Sequence, residues 1–194
     1  MAIVVVGGNA RGVGKTSVIA GVISHLPEYK WTAMKITSHA YGFSPGRPKS
    51  VPIAQGTRPQ IIEEHRRDSG TDTSRFLAAG AARAFLVCAP SGTLAQAMPA
   101  IRNELDKAEN AIIESNSILE YLKPDVYLTI LDPAAPDFKA SAQHFLERAD
   151  AVLIKATVRP VPHWRQIEGK PQFAIAPPDY MTDAVVDFVK TRLA

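Results

Sequence analysis

Val4-Val5-Val6-Gly7-Gly8-Asn9-Ala10-Arg11-Gly12-Val13-Gly14-Lys15-Thr16-Ser17 is the stretch around which the chain is organised. A β-branched run ends in glycines, and Gly14-Lys15-Thr16 opens an amphipathic segment. The order is strand, glycine-rich loop, helix, an arrangement that cradles phosphate. Gly12 and Gly14 let the backbone curl so that its N–H groups face an anion. The helix that follows adds the partial positive charge of its N-terminus. Lys15 then reaches for β- and γ-phosphates, and the Thr16 hydroxyl suits a magnesium ion. A glycine-rich turn that binds nothing would not need the strand, the lysine and the helix to agree.

The spacing departs from the common form, which places glycine at position 9. Asn9 stands there, and the first glycine is Gly8, followed by five residues and Gly14-Lys15-Thr16. Gly8, Asn9, Ala10, Arg11, Gly12, Val13, Gly14, Lys15, Thr16 and Ser17 are therefore the expected ligand-binding loop. This longer loop resembles that of the dethiobiotin synthetase, MinD and MobB branch of P-loop proteins. Many dimeric ATPases of that branch carry a further lysine, which would fall on Ala10; here Arg11 is the adjacent cation.

Length and composition set the bounds. A chain of 194 residues fits one domain with a sizeable core. Apolar residues make up 46% and charged residues 21%, the balance of a soluble globular protein. A net charge of +3 does not call for nucleic acid; a polyphosphate site accounts for it equally well. The single cysteine, Cys88, excludes an intrachain disulfide and fits a cytoplasmic home. It lies in the apolar run Ala84-Phe85-Leu86-Val87, which favours packing over reactivity. No segment reads as a membrane span, and no basic region precedes an apolar one as in a signal peptide.

Ile3 to Val6 reads as a buried parallel strand. Thr16 to Leu26 reads as a helix, with Val18, Ile19, Val22, Ile23 and Leu26 on one stripe and Pro27 as its stop. Trp31 to Ile36 is a second strand. An irregular Pro/Gly-rich insert at about 37–60 follows, carrying Pro45, Pro48, Pro52 and Pro59, and its length suggests function or disorder. Ile61 to Arg67 fits a short strand or a helix. Thr71 to Ala82 reads as a helix with Thr71 as N-cap, and Arg83 to Ala89 as a strand. Leu94, Ala97, Met98, Ile101, Leu105 and Ala108 keep helical spacing, with Pro99 either kinking the helix or starting another. Ala111 to Glu114, Val126 to Leu131, Ala151 to Lys155 and Gln172 to Ala176 read as strands. Phe138 to Ala149 and Thr182 to Leu193 read as helices. Pro160-Val161-Pro162 and Pro177-Pro178 mark late loops, of the kind that lie at the ligand edge of such sheets. The alternation predicts a single α/β domain over residues 1–194 with a mostly parallel sheet flanked by helices, the three-layer P-loop NTPase fold.

Chemistry gathers at a few further residues. Glu114 ends the apolar run Ala111-Ile112-Ile113, and a strand-end carboxylate at the ligand edge can hold magnesium. Asp132 is its rival, but Pro133 makes it read as a turn residue. Asp72 and Arg75 are three residues apart and share a helical face. Asp72 suits the first turn of a helix; the sharper reading sets it against magnesium and Arg75 against phosphate. Lys35, near the end of the second strand, is either a surface lysine or a contact for phosphate or a substrate carboxylate. His25, His144 and His163 lack a shared ligand spacing, which argues against a transition-metal site.

Asp72-Thr73-Ser74-Arg75 with Ala79-Gly80-Ala81 resembles a motif of the MobB family, the molybdopterin-guanine dinucleotide biosynthesis protein B. Met34-Lys35-Ile36-Thr37-Ser38-His39 is similar to that family's histidine-rich segment after the second strand. Glu114 falls where the family has the glutamate of its Val-Glu-Gly motif. His39 alone remains of the histidines, and Ser115-Asn116 replaces the glycine. The likeness covers roughly the first 120 residues. It implies a GTP-binding fold, slow GTP hydrolysis, a homodimer, and help in attaching GMP to molybdopterin, with a molybdopterin-handling partner. Two other functions remain open: an ATP-dependent small-molecule ligase or kinase resembling dethiobiotin synthetase, and a non-enzymatic nucleotide switch. Under the enzymatic readings the catalytic candidates are Lys15, Lys35 and Glu114, the Mg²⁺ candidates Thr16, Asp72 and Glu114, and the nucleotide GTP or ATP. Many GTP-specific P-loop proteins carry Asn-Lys-x-Asp after a late strand; here that place holds Ile154-Lys155-Ala156-Thr157. Lys155 can lie along a base, but no carboxylate follows to select guanine, which predicts weak base selectivity.

Overall fold

A computed structural model of the chain describes residues 1–42, 49–52, 58–157 and 163–194, with the backbone alone for 39–42 and 49–52. In chain order the elements are β1 (Ile3–Gly8), α1 (Lys15–His25), β2 (Trp31–Thr37), β3 (His39–Gly42), β4 (Lys49–Pro52), β5 (Gln60–Glu64), α2 (Asp72–Ala78), β6 (Arg83–Cys88), α3 (Leu94–Leu105), β7 (Asn110–Glu114), β8 (Val126–Leu131), α4 (Ala140–Phe145), β9 (Ala151–Lys155), β10 (Gln172–Ile175) and α5 (Asp183–Leu193). Eight strands form one sheet in the order β10-β9-β8-β1-β7-β2-β6-β5. Every neighbouring pair is parallel except β5 with β6. The expected mostly parallel, three-layer α/β fold is what the chain adopts.

Strand alternation builds the layers. Val4 and Val6 of β1 face one way and join Val18, Ile19 and Val22 of α1, Phe76 of α2 and Val185 of α5 in one core. Val5 faces the other way, with Ile113 and Met34, against Leu94, Met98 and Ile101 of α3 and Phe145 of α4. Covered on both faces, β1 shows no polar alternation, and β8 departs from an apolar run only at the fully buried Thr129.

Several boundaries differ from the sequence reading. Ile61 to Arg67 resolves as a strand: Gln60–Glu64 pairs antiparallel along the edge of β6. Thr71 does cap α2, its hydroxyl accepting from Ser74 N at 3.1 Å, but the helix ends at Ala78 rather than Ala82. Pro99 lies inside α3, which runs on as one helix from Leu94 to Leu105. Pro99 and Ala95, the residue whose carbonyl it leaves without a helical donor, are both exposed residues. The helix expected from Phe138 is shorter, starting at Ala140 and passing into a 3₁₀ turn at Leu146–Arg148. Lys139 is the residue before its first turn: its φ and ψ, −57° and 131°, are not helical, and its backbone N–H is bound to Asn9 O at 2.8 Å. Within the insert at 37–60, β3 and β4 pair antiparallel. Residues 43–48, with Pro45 and Pro48, and 53–57 of that insert, like the Pro160-Val161-Pro162 loop, fall outside the described residues.

Connectivity places the site. β1 leads through α1 to β2 on one side, and the chain passes from β7 across β1 to β8 on the other. Where neighbouring connections leave in opposite directions, a crevice opens at the C-terminal strand ends. Gly8, Lys35, Glu114 and Leu131 end or nearly end the strands around it.

Candidate functional site

The loop after β1 follows the geometry that its glycines allow. Gly12 and Gly14 have φ of 74° and 113°, where a side chain is strained. A Cβ on Gly14 would also meet the Tyr180 ring at 2.3 Å. Gly14 is the residue preceding α1, so the first N–H groups of that helix face the loop. Ser17 Oγ accepts from Arg75 at 3.1 Å, and Val13 anchors the loop in the core.

Asn9 explains the unusual spacing. Its side chain is buried, 2% exposed, and makes a reciprocal pair with the backbone of Asp132: Nδ2 donates to Asp132 O at 3.0 Å, and Oδ1 accepts from Asp132 N at 3.0 Å. A glycine there would lose both bonds. Asn116 clamps the other side. Its Oδ1 accepts from Gly8 N at 2.9 Å and its Nδ2 donates to Gly8 O at 3.0 Å. Two asparagine side chains thus hold the start of the loop to the ends of β7 and β8.

The charged core of the site is set by strand register. Glu114 on β7 lies opposite Val6 on one side and Lys35 on the other. Glu114 Oε2 accepts from the Thr16 hydroxyl at 2.9 Å. Lys35 Nζ donates to Glu114 Oε1 at 2.9 Å and also to Asp72 Oδ2. Thr16, Glu114, Lys35 and Asp72 therefore form one connected chain. Lys15 Nζ donates back to Ala10 O at 3.0 Å. Burial pulls its ammonium down to about 8, against the attraction of Glu114, and Lys139 and Lys35 add repulsion.

These residues line a cleft of about 850 Å³. Arg11, Gly12, Gly14, Lys15, Thr16, Ser17, Lys35, Asp72, Arg75 and Glu114, all expected from sequence, face it. Lys155 does not. Its Nζ donates to Asp132 Oδ2 at 2.8 Å, and that bond raises its pKa. Asp132 also takes the Ala134 N–H at 2.9 Å, the turn contact that Pro133 suggested. Sequence reasoning missed Asn116, Lys139 and Tyr180. Asn116 lies two residues past a strand end, a signal that was present. Lys139 has no local signature; it enters because its loop is tied to Asn9. Partial desolvation and then Arg11 push its pKa down.

Magnesium is the metal that the sequence leads one to expect, and Thr16, Asp72 and Glu114 are donors of the kind it takes. Two carboxylates and one hydroxyl are a set that leaves room for water and phosphate oxygens, as Mg²⁺ requires. Among the described residues no three His, Cys, Asp or Glu side chains group as a metal site. No helix among them is long and apolar enough to cross a membrane.

No protein-family model matches the chain, and no curated protein matches it. Solved structures do. LpxK from Aquifex aeolicus in complex with ATP aligns over 90% of this chain with 18% identity and a TM-score of 0.51. The chain spans about half, 53%, of that protein's length. HypB from Helicobacter pylori in complex with nickel aligns over 99% of this chain and 85% of its own, with 14% identity and a TM-score of 0.51. Bacillus subtilis MobB aligns over 99% and 98%, with 15% identity and a TM-score of 0.42. At these identities the first two likenesses establish the fold, that of the P-loop NTPases.

Proposed function

We propose that the cleft binds a Mg²⁺–nucleoside triphosphate, GTP or ATP, and that the protein hydrolyses it slowly. The observation that carries this reading is the chain Thr16–Glu114–Lys35–Asp72 at the mouth of the Gly8–Ser17 loop. The loop supplies N–H groups to the phosphates and Lys15 a charge-assisted contact. Arg11, Arg75 and Lys139 add positive charge, and Lys35 stands beside the carboxylates. Thr16, Glu114 and Asp72 would hold the metal, which supplies electrostatic stabilisation of the phosphate oxygens when bound.

The Asp72-to-Arg75 motif makes assembly of molybdopterin guanine dinucleotide the pathway to test, with a homodimer and a molybdopterin-handling protein as partners in the cytoplasm. A second reading rests on the extent of the cleft. It continues past the phosphate loop to Ala89–Gly92 and to Ser115–Ser117, Glu120 and Tyr121, a wall with several hydroxyls. A small-molecule acceptor of a kinase or ligase fits there. Substrate-stimulated phosphate release separates this reading from slow, unstimulated turnover.

Titration of a fluorescent triphosphate into the protein and into Lys15→Ala tests the proposal. Losing the contact costs about 1.5–3 kcal/mol, or roughly ten- to a hundredfold in affinity. Equal affinity of the two proteins removes the phosphate-site reading. In the same assay unlabelled GTP and ATP compete within about tenfold, or ~1.4 kcal/mol, because no carboxylate follows Lys155. A preference of several hundredfold would reveal a base pocket elsewhere.

A further inference from the structure

Lys35 occupies the place where the site most needs positive charge. Its ammonium touches Asp72 and Glu114 at once, and Glu114's other oxygen takes the Thr16 hydroxyl. The side chains of Lys35 and Glu114 are 14% and 6% exposed, and that of Asp72 is 28% exposed. Two carboxylates drawn together at this depth repel each other unless a cation stands between them. The fold builds this contact: β2–β7 register sets Lys35 beside Glu114, and the first turn of α2 brings Asp72 to the same ammonium.

We propose that Lys35 is a resident counter-ion for the Asp72–Glu114 pair, and that a divalent cation and the Lys35 ammonium compete for the same oxygens. The inference rests on reading the cleft as a Mg²⁺–triphosphate site and adds a coupling to it. A divalent ion held by those carboxylates needs their lone pairs and repels an ammonium left among them. The four-carbon stem of lysine lets the head swing away while the strand stays still. The displaced ammonium remains in the cleft that Arg11, Lys15 and Lys139 also line, where a triphosphate offers it a new partner. Metal alone is therefore held weakly, and triphosphate strengthens it. By linkage, metal strengthens triphosphate by the same factor.

Mn²⁺ binding without nucleotide, followed by electron paramagnetic resonance, tests the exchange. Lys35→Met removes the competing charge and keeps the stem. Mn²⁺ then binds at least tenfold tighter than to the unaltered protein, while Lys35→Arg keeps binding weak. Adding Asp72→Asn to Lys35→Met abolishes the gain. Unchanged or weaker Mn²⁺ binding by folded Lys35→Met overturns the proposal. A second measurement needs no variant: Mg²⁺ speeds the labelling of Lys35 by an amine-reactive reagent, read by mass spectrometry, several-fold. Labelling insensitive to Mg²⁺ overturns it equally. A protein that binds no triphosphate but shows both effects keeps the ion exchange and loses the nucleotide reading. One that binds triphosphate without them does the reverse.

Discussion

Lys15 carries a pH dependence that follows from its burial. Its ammonium titrates at about 8 in the folded protein, against 10.5 ordinarily. Between those values the unfolded chain binds more protons at this residue, so the penalty of burying its charge shrinks and stability rises as pH climbs through that window. A triphosphate reverses the shift by pairing with the ammonium. At pH 9 the unliganded residue is mostly neutral, so binding takes up close to one proton from solution. At pH 7 it is already charged and uptake falls to roughly a tenth of that. Calorimetric titration with tripolyphosphate in buffers of different ionisation enthalpy measures the number directly. Equal uptake at both pH values would show that Lys15 does not meet the anion.

At the scale of elements, the loop is held by what the neighbouring strands release at their ends. Asn116, just past β7, binds both polar groups of Gly8, and Asn9 binds both backbone groups of Asp132, just past β8. Asn116→Ala leaves the Gly8 N–H and C=O without those partners, at a cost of about 1–3 kcal/mol. The melting temperature then falls by roughly 2–4 °C for each kcal/mol in a chain of this size. Triphosphate affinity falls too, because the loop is no longer preorganised. Differential scanning fluorimetry and the fluorescent titration read the two effects. A variant as stable as the parent would mean that water replaces Asn116 fully. Gly7 explains why the clamp fits, since a Cβ there would lie 2.2 Å from Asn116 Oδ1.

The whole molecule acts as a platform whose C-terminal strand edge gathers distant residues: Thr16, Lys35, Asp72, Glu114, Lys139 and Tyr180 all face one cleft. A ligand bound there contacts α1, α2 and the loops after β7 and β8 together, so its binding energy opposes global unfolding. Triphosphate with Mg²⁺ at a hundred times its dissociation constant stabilises the fold by about 2.7 kcal/mol. That raises the melting temperature by roughly 5–10 °C. The same concentration raises that of Lys15→Ala by clearly less. A full-sized shift in the variant would place the ligand away from the loop.

Local pattern alone determined the layers and the glycine-rich loop after β1. The continuous apolar run of β1 requires cover on both faces, and glycines before Lys15 require a curled backbone; both are properties of neighbouring residues. Glu114, Asp72 and Lys35 were legible as candidates because each sits at the end of a strand or the start of a helix, but nothing local said that they touch. Register decided that: pairing β2 with β7 puts Lys35 against Glu114, and a slip of one residue would turn it to the other face. Tertiary contacts also decided the fate of Asn9, Asn116 and Lys139. Their hydrogen-bond partners lie about a hundred residues away or more, and a polar side chain can satisfy itself in many ways until the fold selects one.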